Sequence, residues 1–298
     1  MNKFIEQLKK KSVLLSDGAW GTMLQAKGLG AGECPEQWNL THRDLVFSVA
    51  KGYAEAGSDM VETNSFGGSR IKLRECGLDE RTFEVNRIAA EISREAIGDE
   101  GIVMGSMGPT GKILMMGEVS EEEMYEAFAE QARGLEAGGA DVAMIETMMD
   151  IEEAKIALRA VRENTSLPAI CSFTFDKTGM GEYRTMMGHA PADVVQAMKE
   201  AGAEMVGANC GHGIEQMVPI AREMKETDPS MPLLIQANAG EPHIHGDKTV
   251  FDETPDVTAS FVPQLMELGV EVIGGCCGTT PDHIREIRKK IEEFNREG

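Results

Sequence analysis

Near the C-terminus two adjacent cysteines stand between glycines, in Gly274-Gly275-Cys276-Cys277-Gly278-Thr279-Thr280-Pro281-Asp282-His283. Neighbouring residues of an extended strand face opposite sides, so both sulfurs can reach one point only where the chain bends. The flanking glycines supply that freedom. A third cysteine, Cys210 in Gly207-Ala208-Asn209-Cys210-Gly211, also ends an apolar run and precedes a glycine. Three thiolates brought from two strand ends would form a Zn²⁺ site with its fourth position open. An open position is what separates a catalytic zinc from a structural one.

Elements must exist to place those sulfurs. The apolar run 270–273 reads as a buried strand, and Thr279-Thr280-Pro281 reads as a helix start with a hydroxyl cap and proline in the first turn. Seven more short apolar runs precede it, at 13–16, 60–64, 102–105, 142–145, 169–173, 205–207 and 233–235. Longer amphipathic stretches alternate with them, among them 43–56, 121–137, 151–161, 192–201, 214–225, 257–268 and 282–294. Ala56-Gly57, Ala137-Gly138, Ala201-Gly202 and Leu268-Gly269 mark helix ends. Eight βα units without a linker predict an α/β fold, a (β/α)₈ TIM barrel in one domain spanning 1–298. An open doubly wound sheet is the alternative and would need two domains.

In a barrel, the residues after each strand share one mouth. That set is Asp17, Gly18, Asn64, Gly105 to Pro109, Glu146, Cys210, Asn238, Cys276 and Cys277. It is polar and rich in metal-binding types. The remaining cysteines read differently: Cys171 as buried core, Cys34 and Cys76 as residues with no partner at metal spacing. His243-Ile244-His245 reads as a polar loop, and His189 and His212 flank strand ends.

Composition narrows the function. Fifty acidic against 29 basic residues give a net charge of −21, which argues against a nucleic-acid partner. No apolar run reaches 18 residues, so no membrane span is expected, and Met1 to Lys11 lacks the apolar core of a secretory signal. Six cysteines in such a chain point to metal or catalytic thiols in a cytoplasmic protein. A vicinal-dithiol redox protein is a reading from a different class, but it has no use for Cys210 or Glu146. A non-catalytic sensor of thiol amino acids on the same scaffold is another. Metal analysis separates the first, because one tightly bound zinc excludes a simple disulfide switch.

Asp17-Gly18-Ala19-Trp20-Gly21-Thr22, Glu62-Thr63-Asn64-Ser65-Phe66, Gly108-Pro109-Thr110-Gly111, Ile145-Glu146-Thr147, Asn209-Cys210 and the cysteine pair occur in this order. Together they resemble the homocysteine S-methyltransferase family, over about residues 12–290. That family includes the homocysteine module of cobalamin-dependent methionine synthase and betaine–homocysteine methyltransferase. The resemblance implies a zinc-dependent barrel that methylates the thiol of homocysteine to give methionine. It places the zinc on Cys210, Cys276 and Cys277 and the substrate amino group on Glu146. It places the polar end of the amino acid at Asp17, Gly18, Ala19, Gly21 and Thr22. Asn64 joins the substrate residues, while Asn209 and Asn238 are candidates to orient ligands from behind.

The chemistry agrees. A free thiol, with a pKa of about 8.5, is mostly protonated at neutral pH, and binding to zinc removes the proton. Gly108-Pro109-Thr110-Gly111 and Asn238-Ala239-Gly240-Glu241-Pro242 look closer to the methionine synthase module than to the betaine enzyme. The expected methyl donor is therefore methylcobalamin on a separate corrinoid protein, since the sequence ends soon after the cysteine pair. S-methylmethionine, S-adenosylmethionine or betaine are the small-molecule alternatives. The pairs Met115-Met116, Met148-Met149 and Met186-Met187 follow strands three to five, and are expected to stand at the mouth as an adaptable docking surface.

Overall fold

The computed structural model describes residues 2–245 and 248–297. Its centre is one sheet of eight strands: β1 (Leu14–Leu15), β2 (Met60–Glu62), β3 (Ile102–Met107), β4 (Val142–Met148), β5 (Ala169–Phe173), β6 (Met205–Gly213), β7 (Leu233–Asn238) and β8 (Val272–Gly275). The spatial order is β1-β8-β7-β6-β5-β4-β3-β2, and every pairing is parallel. The seam between β1 and β2 is closed by single bonds: Asp59 N–H donates to Leu15 O at 2.7 Å, and Glu62 N–H donates to Asp17 Oδ2 at 2.8 Å. Eight parallel strands with helices outside make a (β/α)₈ barrel.

Strand alternation decides what fills it. Residues two apart point inward, and at the N-terminal end they are apolar: Leu14, Met60, Ile102, Met104, Val142, Met144, Ile170, Met205, Leu234 and Val272 form one buried cluster. The helix Lys3–Lys10 closes that end with Phe4, which is fully buried in the same cluster. The next inward positions are polar: Ser16, Glu62, Ser106, Glu146, Ser172, Asn209 and Gln236, all buried. The outward residues, such as Val61, Val103, Ile145 and Val206, belong to the larger core beneath the helices. The barrel therefore has an apolar floor and a polar mouth.

Helix boundaries at Arg43–Ala56 and Glu121–Ala137 fall where the amphipathic pattern puts them. The stretch expected as one helix over 257–268 is two, Pro255–Ser260 and Val262–Glu267. Pro263 sits in the first turn of the second piece and has no N–H with which to continue the first. Gly57 and Gly202 end their helices in the left-handed conformation, but Gly138 does not. There Gly139 takes the positive φ of 95°, while a side chain on Gly138 would collide with the Arg87 carbonyl of the neighbouring helix.

Candidate active site

At the C-terminal mouth a cavity of about 670 Å³ is lined by Gly18 to Gly21, Glu62, Asn64, Glu146, Cys210, Cys276 and Cys277, among others. The three cysteine sulfurs lie within 4.8 Å of one another, and among the described residues they are the only such group of three metal-ligating side chains. Cys210 Sγ and Cys277 Sγ are 3.9 Å apart. Tetrahedral coordination at a Zn–S distance of 2.3 Å would space sulfurs about 3.8 Å apart, so the thiols stand near ligand spacing.

Each sulfur arrives by a different route. Cys276 continues the inward phase of β8, and its N–H donates to Ala237 O at 2.6 Å. The chain then turns: Thr279 N–H and hydroxyl both donate to Cys276 O, and Ala239 N–H donates to Cys277 O at 2.9 Å. Cys210 follows the inward Asn209, so an extended strand would send it outward. Instead it adopts a left-handed backbone, φ 62°, where the register of β6 shifts.

The thiols share charge. Hydrogen bonds from Cys276 and Cys277 hold the Cys210 thiol down to about 3, with help from the Asn238 side chain. Donating to that thiolate pushes Cys277 up to about 12 and Cys276 well above the thiol range. Three sulfurs at this spacing are a soft donor set suited to a thiophilic metal.

Beside the sulfurs stand buried acids, with the Asn209 amide 3.5 Å from Glu146 Oε2 and 3.9 Å from Cys276 Sγ. Burial raises Asp17 and Glu146 to about 7, and raises Glu62 well above its ordinary value with further push from Glu146 and Asp17. Glu146 accepts from the Ser106 hydroxyl, and Glu62 Oε1 accepts from Gln236 Nε2 at 2.9 Å. Asp17 Oδ2 accepts from Trp20 Nε1 at 2.9 Å, while Asp17 Oδ1 is buried without a partner. An acidic pocket of this kind is a receptor for a cation such as an ammonium group.

The expected site residues separate into groups. Cys210, Cys276, Cys277, Glu146, Gly18, Ala19 and Gly21 line the cavity, and Asp17 is fully buried and outside the lining. Ala19 N–H is not free for an anion, because it donates to Thr279 Oγ1 at 3.1 Å. Thr22 is outside the lining. Asn64 reaches the cavity wall, but its Nδ2 is spent on Pro35 O at 2.7 Å and Asn39 Oδ1 at 3.0 Å, so it fastens a loop. Asn238 and Asn209 do stand behind the thiols: Asn209 Nδ2 lies 3.9 Å from Cys276 Sγ and donates to Thr147 Oγ1 at 2.7 Å. Glu62 and Gln236 were not among the sequence candidates. The signal that reveals them is the period of two, Met60-x-Glu62 and Leu234-x-Gln236, read as one inward face.

Of the other expectations, Cys171 is fully buried. His212 Nδ1 is paired with Glu241 at 2.8 Å, and His243 stands 3.5 Å from Asp252. His243–His245 is a strand of a hairpin, and the side chains of Ile244 and His245 lie outside the described residues. The methionine pairs do not act together: Met115 and Met116 are 83% and 71% exposed and Met186 is exposed, but Met148 is fully buried in β4. Its strand runs three residues past the expected end at 145, which carries Met148 into the core.

Residues 14–291 match the sequence profile of homocysteine S-methyltransferases. The chain belongs to the homocysteine S-methyltransferase family. The methionine synthases of Mycobacterium tuberculosis and Mycobacterium leprae are 31% and 30% identical to it over 302 residues, 95% of this chain. The chain spans about a quarter of the length of those two relatives. Among solved structures, the homocysteine methyltransferase MmuM from Escherichia coli superposes with TM-scores of 0.81 in its oxidised form and 0.79 in its metallated form. It is 24% identical, with 97% of this chain and all of MmuM covered, and this likeness concerns the fold. Among the described residues no helix is long and apolar enough to cross a membrane.

Proposed function

We propose that this homocysteine S-methyltransferase converts homocysteine to methionine with a zinc ion held by Cys210, Cys276 and Cys277. The observation that carries the reading is the convergence of three sulfurs from two strand ends within 4.8 Å, at a cavity that the buried Glu62 and Glu146 also line. Zinc bound there supplies the Lewis acidity that lets a substrate thiol lose its proton at neutral pH.

The protein's own groups do the rest. Glu146 and Glu62 receive the substrate ammonium, and the unpartnered Asp17 Oδ1 adds to the negative field beneath it. An arriving cation favours the ionised carboxylates, so the protons that burial keeps on Asp17 and Glu146 leave as the amino acid binds. Gly21 and Trp20 line the entrance beside them and offer backbone to the substrate carboxylate. Asn209 and Asn238 hold the sulfurs in place.

The donor assigned is methylcobalamin on a separate corrinoid protein. Likeness to methionine synthases and the bare methionines Met115, Met116 and Met186 support it. Cys276→Ser is expected to lose both bound zinc and thiol methylation; a fully active variant refutes the zinc reading. Assaying one preparation with a methylated corrinoid protein, S-methylmethionine, S-adenosylmethionine and betaine fixes the donor. Turnover with a small donor alone refutes the corrinoid assignment.

A further inference from the structure

Two cysteines outside the thiol cluster stand on the wall of the same cavity. Cys34 immediately precedes the turn Pro35–Gln37, and Cys76 ends the turn Arg74–Cys76; both line the cavity, together with Glu36 and Glu75. The sequence offers no reason to pair them, since they are far apart in the chain, yet the fold packs Cys34 against Leu73 and Leu78, which bracket Cys76, and sets both cysteines on one cavity wall. Their settings differ. Cys76 is exposed, while Cys34 is buried against Leu73, Leu78 and Val85. Cys34 Sγ donates to Glu36 Oε2 at 3.4 Å, and Glu36 is itself fixed by Gly67 N–H at 2.6 Å.

We propose that Cys34 and Cys76 are a thiol–disulfide exchange pair that reacts with low-molecular-weight disulfides and closes a bond across the cavity wall. The exposed Cys76 attacks first: its thiolate forms an S–S bond to one sulfur of the incoming disulfide, and the other sulfur leaves as a thiolate. Cys34 then attacks the Cys76 sulfur of the mixed disulfide, and the second small thiolate leaves. The Cys34 proton passes to the adjacent Glu36 carboxylate and from there to the departing thiolate. One small disulfide is reduced to two thiols and two protein thiols are oxidised to one disulfide. Burial, the Cys76 contact and the Glu36 charge push the Cys34 thiol well up, so Cys34 is not the first attacker and reacts only once the mixed disulfide on Cys76 is beside it. The bond would fasten the turn at Pro35–Gln37 to the segment Arg74–Cys76, two parts of the entrance to the substrate cavity.

The test uses the full chain and oxidised glutathione, followed by acid quenching, trypsin and non-reducing mass spectrometry. The expected product is a cross-link between the peptides 28–43 and 75–81, with two of the six free thiols lost. Cys34→Ser should stop at a single glutathione on Cys76, and Cys76→Ser should leave Cys34 unmodified. Wild-type protein with glutathione on Cys76 and Cys34 still free overturns the proposal. So does a cross-link from either residue to Cys210, Cys276 or Cys277. The peptide map reads no methyl transfer, so its failure is distinct from failure of the zinc reading.

Discussion

Asp17→Asn separates what the buried acids do for substrate from what they cost the fold. Asp17 is fully buried, and burial lifts its carboxyl from 3.8 to about 7. At 1.36 kcal/mol per unit, that difference is worth about 4 kcal/mol. The folded state keeps a proton that the unfolded chain gives up, so the associated stability is complete below pH 3.8 and lost as pH rises through about 7. Asparagine has the same shape, can still accept from Trp20 Nε1 and Glu62 N–H, and has no proton to lose. Its amide would stand where Asp17 Oδ1 has no partner, a cost of about 1–3 kcal/mol that does not change with pH. Roughly two of the three units fall between pH 5 and 8, so over that interval the variant should gain about 3 kcal/mol on wild type. Removing the Asp17 charge also relieves Glu62 and Glu146, which moves stability the same way. Urea unfolding of both proteins at pH 5 and pH 8, without amino acid, measures the change, and KM for homocysteine should rise in the variant. A stability difference that does not vary with pH would show that burial does not raise this carboxyl.

Other outcomes follow from contacts at the mouth. A Cβ on Gly18 would stand 2.6 Å from Thr279 Oγ1 and 3.0 Å from the Tyr53 ring, so Gly18→Ala should cost about 1–3 kcal/mol in thermal or urea unfolding. An unchanged midpoint would mean that the first loop yields freely. Replacing Met115 and Met116 by glutamine should leave stability and zinc content unchanged and slow turnover with a corrinoid protein donor; equal turnover removes docking from this surface. Asn209→Ala takes the acceptor from Thr147 N–H and the Ser172 hydroxyl, and should weaken metal retention about 10–100-fold in a chelator competition. Wild-type retention would make Asn209 a purely structural residue.

The barrel was legible because strands buried on both faces read as continuous apolar runs, and all eight lie where those runs are. The cysteine positions were legible because a bend is the only way to bring neighbouring strand residues to one point, and glycine announces the bend. Glu62 and Gln236 were hidden inside such runs, where nothing in composition tells inward from outward until the barrel fixes the phase. The Asn64 amide is another feature that sequence could not show: its Nδ2 is taken up by Pro35 O and Asn39 Oδ1, partners that only the folded loops bring to it. The contact between Cys34 and Cys76 joins two turns distant in sequence, and no spacing rule anticipates it.

Backbone strain marks where the site departs from the regular barrel. Among the described residues, Thr147 at φ 57° and Cys210 at φ 62° are the non-glycine residues with left-handed backbone, each costing about 1 kcal/mol or more. Both sit at register shifts, in β4 and β6. Asn209 lies between them: its Oδ1 accepts Thr147 N–H at 2.9 Å, its Nδ2 donates to the Thr147 hydroxyl, and Cys210 is its own neighbour. The two distortions are therefore one structure. Straightening β6 would turn Cys210 away from Cys277, and straightening β4 would release the Asn209 amide that reaches Cys276 and Glu146. A regular barrel could present Cys276 alone at the mouth. The strained tips and the turn after Cys276 bring the other two sulfurs to it.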